Sequence, residues 1–159
     1  MANRRIKILL LLCCLQLAMT APAQIMMEKE RVIAMKGLNH TTGIDDKGNE
    51  YLLYDEEVES PGGYKYTRSS IYYFKNYMEK EICTHEKHIF PETEAFYYLL
   101  WLDNTKLKKE NLRWKDTLTQ YLYKAQFIKP FFTLTIWKDG EGVTEKFKDN
   151  VTKVSIKIE

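Results

Sequence analysis

A short basic start, Asn3-Arg4-Arg5-Ile6-Lys7, runs into an apolar stretch, Ile8 to Met19, broken only by Gln16, and ends on Ala21-Pro22-Ala23. Basic flank, short apolar core and small residues at the cut are the layout of a secretory signal peptide, with cleavage expected near Ala23. This stretch constrains the fold more than any other, because it leaves residues 24–159 to fold outside the cytoplasm. The expected location is secreted or periplasmic. Spanning a bilayer takes about 20 apolar residues, and no run in the chain reaches that length, so no transmembrane segment is expected. Cys13 and Cys14 lie inside the apolar run without a preceding small residue, which argues against lipidation.

Removing 23 of the 159 residues leaves 136, enough for one domain with a core of its own. Cys83 is the one cysteine outside the leader, so no internal disulfide is available. Its thiol is expected either to be buried or to bridge two copies into a disulfide dimer. The leader holds Arg4, Arg5 and Lys7, so 24 basic residues fall to 21 against 22 acidic ones. That balance gives no basic excess for nucleic acid, and no nucleic-acid partner is expected.

Aromatic residues are the compositional outlier: 11 Tyr, 7 Phe and 3 Trp, none of them in the leader. Tyr and Trp join a large apolar area to a polar tip and serve both cores and wet binding surfaces.

Along the chain, Arg31 to Leu38 reads as a first strand, Asp45 to Asn49 as a turn, and Glu50 to Tyr54 as a strand closing a hairpin. Tyr64 to Thr67, after the Pro61-Gly62-Gly63 loop, reads as another short strand. From Ser69 the period changes. Ile71, Phe74, Met78, Ile82 and Ile89 recur at helical spacing and predict a helix to about His88. Glu92 and Glu94 open a second helix to about Leu102, whose run Ala95 to Leu102 is expected to be the most buried element. Leu107, Trp114, Leu118, Tyr121, Leu122 and Ala125 predict a third helix, to about Gln126. Phe131 to Lys138 and Val143 to Phe147 read as strands about a turn at Asp139 to Gly142, and Val154, Ile156 and Ile158 alternate as a last strand. No internal repeat is visible. The expected fold class is α+β: a mostly antiparallel sheet from the N- and C-terminal parts, packed against two or three central helices.

Chemistry has few footholds. On the predicted helix Glu81, His85 and His88 fall at i, i+4 and i+7, within roughly 60° of one another, and would suit zinc. No HExxH spacing accompanies them. Lys47 stands where a calcium loop wants an acid or Asn, and the Lys-rich stretch Lys106 to Lys115 is diluted by Glu110 and Asp116. Asn39-His40-Thr41 and Asn150-Val151-Thr152 are glycosylation sequons. No nucleophile elbow or phosphate-binding glycine loop is present, so no catalytic residue is assigned. The leading expectation is a non-catalytic binding module for a protein or glycan, using Tyr64, Tyr66, Tyr72 and Tyr73 as an aromatic surface. The alternative is a metal-binding protein or metalloenzyme built on Glu81, His85 and His88.

Overall fold

The computed structural model describes residues 23–60 and 62–138. Helix α1 (Lys29–Lys36) precedes strands β1 (Thr41–Ile44), β2 (Glu50–Glu59), β3 (Lys65–Tyr77) and β4 (Lys80–Pro91). A 3-10 turn (Glu92–Glu94) then runs into helix α2 (Ala95–Thr105), followed by β5 (Leu107–Lys109), β6 (Arg113–Lys115), β7 (Tyr121–Ile128) and β8 (Phe131–Lys138). All eight strands form one antiparallel sheet in the order β1-β2-β3-β4-β8-β7-β6-β5.

This architecture corrects the expected one. Among the described residues the strands follow one another from Thr41 to Lys138, the central stretch included, and two or three central helices are replaced by one helical stretch, Glu92–Thr105, plus the short α1. The predicted helix from Ser69 to His88 is the β3-β4 hairpin, and the predicted third helix is β5, β6 and most of β7. The helical spacing was a coincidence of two crowded faces. Ile71 and Tyr73 are buried on one side of β3 and Tyr72 and Phe74 on the other, which erases the period-two signal. Met78, in the middle of the predicted stripe, lies 78% exposed in the hairpin turn. That turn is Met78-Glu79 with φ of 49° and 65°, the signature of a type I′ turn formed without Asn or Gly.

Arg31 to Leu38, expected as a strand, falls largely within α1, where only Val32 is buried. Lys29, Val32 and Lys36 share one helical face. Val32 docks on Leu52, Tyr54, Tyr72 and Phe74, while Lys29 pairs with Glu50 and Glu81 and Lys36 with Glu56. The helix expected from Glu92 is present, and Leu102 and Ala95 anchor it on Phe90, Trp114, Tyr123 and Leu134. Having no polar side, α2 leaves Phe96 67% exposed and is not the most buried element. The expected strands at Glu50 to Tyr54 and Tyr64 to Thr67 belong to β2 and β3, and Phe131 to Lys138 is β8. The turn at Asp139 to Gly142 and the strands at Val143 to Phe147 and Val154 to Ile158 lie outside the described residues.

Both helices lie on the same face of the sheet, called here the near face. The far face carries no described helix; its central cluster is Ile71, Tyr73 and Ile89, flanked by Tyr51, Leu53 and Phe131. The order helix then four-stranded meander occurs twice, with β4 and β8 meeting at the centre. Among the described residues no helix is long and apolar enough to cross a membrane.

Because left-handed backbone costs an ordinary residue about 1 kcal/mol or more, replacing Met78-Glu79 by Asn-Gly is expected to stabilise the fold by about that amount. Urea unfolding checks this, and an unmoved midpoint would contradict the turn geometry.

Candidate functional site

The pleat of β4 disperses the predicted metal set. His85 points to the far face, where its ring stacks on Tyr73, and His88 to the near face, beside Tyr72. Glu81 lies on the near face seven residues from His88, roughly 20 Å along the strand, and is paired with Lys29. Among the described residues no group of three His, Cys, Asp or Glu converges. Cys83 is unbridged and has no exposed surface, so a second copy's thiol has no path to it, and burial pushes its own thiol pKa up.

The four tyrosines also separate. Tyr64 is 75% exposed by the loop after β2, while Tyr66 is half-buried on the near face with its hydroxyl 3.2 Å from that of Tyr98. Tyr72 is buried on the near face and Tyr73 on the far one.

At the centre of the near face, Ser70 Oγ lies 2.9 Å from His88 Nδ1, and His88 Nε2 lies 3.3 Å from Glu86 Oε2. Serine, histidine and a carboxylate in line resemble a nucleophile relay. Ser70, however, is wholly buried and Glu86 nearly so, which leaves Oγ with no approach for a substrate. Glu86 Oε1 and the Tyr72 hydroxyl lack partners among the described residues. The group is a buried polar network that sets the packing of β3 against β4.

The far face has a different organisation, set by register. Trp137 stands opposite His85, His85 opposite Tyr73, Tyr73 opposite Tyr51, and Tyr51 opposite Gly43. Neighbouring strands are about 4.8 Å apart, so four rings form a row of roughly 14 Å across β8, β4, β3 and β2. His85 and Tyr73 stack with centroids 4.2 Å apart at 6°, and Tyr73 and Tyr51 are tilted at 5.9 Å. The Tyr51 ring lies over Gly43, where any side chain would collide with it. Glycine at that edge position lets the row end flat on β1.

Two residues further along the strands runs a second row: Arg113 opposite Lys124, Lys124 opposite Thr135, Thr135 opposite Lys87. Lys87 is 5% exposed and forms no ion pair among the described residues; burial pushes its ammonium pKa down. Arg113 Nε, Thr135 Oγ1 and Gln126 Oε1, all on this face, are buried without a partner. Far-face carboxylates sit apart from these cations, on β2 at Asp55, Glu57 and Glu59.

Sequence reasoning missed Trp137, Tyr51, Lys87 and Lys124. The alternation in Phe131 to Lys138 was a usable signal for Trp137, since it puts Phe131, Thr133, Thr135 and Trp137 on one face. The cations carry none, because the apolar spacing around them predicts helix over β4 and β7.

Burial among the aromatic row pushes His85 down from 6.5 to about 3. Below pH 6.5 the unfolded chain takes up a proton that folded His85 refuses, so stability is lost as pH falls from about 6.5 to about 3. The parent is therefore expected to lose stability more steeply than His85→Phe between pH 6.5 and pH 4, by up to about 1.4 kcal/mol per pH unit. Denaturant unfolding across that range reads the difference, and parallel curves would contradict it.

No known protein family matches the chain, and neither a curated protein nor a solved structure matches it.

Proposed function

We propose that this chain is a non-catalytic binding module, exported by its leader to a secreted or periplasmic location, that takes a protein or glycan partner on the far face of its sheet. The observation that carries the reading is the in-register row Trp137, His85, Tyr73 and Tyr51, whose two end rings keep part of their surface. Aromatic rings fixed side by side on strands are a rigid platform that loses little entropy when a planar or apolar group settles on them. The half-buried rings at either end, Trp137 and Tyr51, supply the contact area, while His85 and Tyr73 hold the row. The pairing of Ser70 with His88 beside Glu86 is sealed in the near face and offers no approach to a substrate.

Binding screened on arrays of soluble oligosaccharides and of peptides tests this, with each hit titrated against the parent, Trp137→Ala and Tyr51→Ala. Each variant is expected to lose ten-fold or more in affinity, about 1.4 kcal/mol, with its thermal unfolding showing that it still folds. A hit that binds both variants as it binds the parent would refute the far-face assignment.

A further inference from the structure

The chain end that export would create is built into the fold. Cleavage after Ala23 makes Gln24 the first residue, and Gln24 and Ile25 are each only 3% exposed. Ile25 belongs to the near-face core with Phe90, Leu102, Trp114 and Ile136, and Ala23 packs against the same cluster. The residues that follow enter the sheet: Met26 N donates to Cys83 O at 2.7 Å, Cys83 N donates to Met27 O at 2.8 Å, and Glu28 bridges to Ile82. They lie along the part of β4 that β8, paired with it from His85 to Pro91, leaves open. The first few residues of a domain are poorly ordered unless tied down. Here the second residue after the cut is already in the core.

We infer that Gln24 is a modification site, cyclised to pyroglutamate once the leader is removed. This rests on the leader being cut after Ala23. A free α-amine has an ordinary pKa of about 8, so at neutral pH it would carry a positive charge into a position with almost no water, and enclosing a charge is costly. Glutamine can dispose of that charge by itself. The α-nitrogen attacks the side-chain carbonyl carbon Cδ, a C–N bond closes a five-membered lactam, and the carboxamide nitrogen leaves as ammonia with the proton that the amine gives up. No oxidant, reductant or second substrate enters. The product is neutral, keeps an N–H donor and carbonyl acceptors, and has less rotamer freedom to lose on burial than an open Gln side chain. Closure precedes docking, because the folded chain shuts Gln24 away, and the exported, still unfolded chain is its substrate.

The test is the intact mass of the protein collected from outside the cytoplasm of its own host. A mass one ammonia below that of Gln24 to Glu159 is expected, with N-terminal sequencing blocked. Pyroglutamyl aminopeptidase is expected to release the ring from the unfolded chain more than about ten-fold faster than from the folded one, since cutting a buried end requires prior opening. As a second measurement, chain released with a free Gln24 amine by a site-specific protease, and unfolded in urea at once, is expected to show a lower midpoint than the cyclised chain. A mass equal to Gln24 to Glu159 with a free amine overturns the inference and leaves the leader reading standing. A first residue other than Gln24 removes the cut after Ala23, and the inference with it. Equal release of the ring from folded and unfolded chain, or a midpoint that does not rise on closure, also overturns it, because the ring would then not be seated in the core.

Discussion

Seven residue pairs, from His85 against Trp137 to Pro91 against Phe131, hold β4 to β8 and thereby join two four-stranded meanders into one sheet. Without that junction each meander would be a small sheet with one bare inner edge and half a core. With it, Phe90, Phe132, Leu134 and Ile136 form a continuous apolar floor beneath α2, and Glu86 and His88 are drawn into the same interior. The junction also brings Trp137 to His85 and Lys87 to Thr135, so both rows of the far face exist only because β4 and β8 pair. Packing and proposed binding depend on the same backbone hydrogen bonds.

The two faces distribute polar groups differently. On the near face, ionic groups tie helix to sheet: Lys29 to Glu50 and Glu81, Lys36 to Glu56, and Lys106 to Asp116 at 2.6 Å. These pairs are partly shielded and fix where the helices sit. The far face keeps its opposite charges apart, β2 acidic and β4, β7 and β6 basic. Segregation of that kind sets an electrostatic gradient across the sheet.

How much was legible in the sequence follows from where the periodic signal survives. The helix from Glu92 and the strand from Phe131 were legible, one from acidic residues ahead of a long apolar run, the other from its β-branched and aromatic content. The β3-β4 hairpin was not, because both faces of β3 are apolar and its turn uses Met and Glu in left-handed conformations where Asn-Gly would have announced it. The stretch from Leu107 to Ala125 failed for a related reason. Strands β5 and β6 have three residues each, too few to show alternation, and Asn111, Leu112 and Gln120 turn with positive φ. The aromatic surplus suggested Tyr73 as a surface residue, whereas its ring is buried in a row whose other members come from three other strands, and only register brings them together.

Helix followed by four strands, twice over, with the two last strands antiparallel at the centre, is the arrangement of a symmetric dimer enclosed in a single chain. A true dimer must place the same residues on both sides of its axis, so whatever one half offers, the other repeats. Joining the two halves in one chain through the Glu92–Glu94 turn lifts that restriction and makes their encounter a tethered one. The first half has long strands carrying Tyr51, Tyr73 and His85, and the second has short β5 and β6 and supplies Arg113 and Lys124. One surface thereby gains two dissimilar ends, a direction that a twofold pair of identical subunits could not give it.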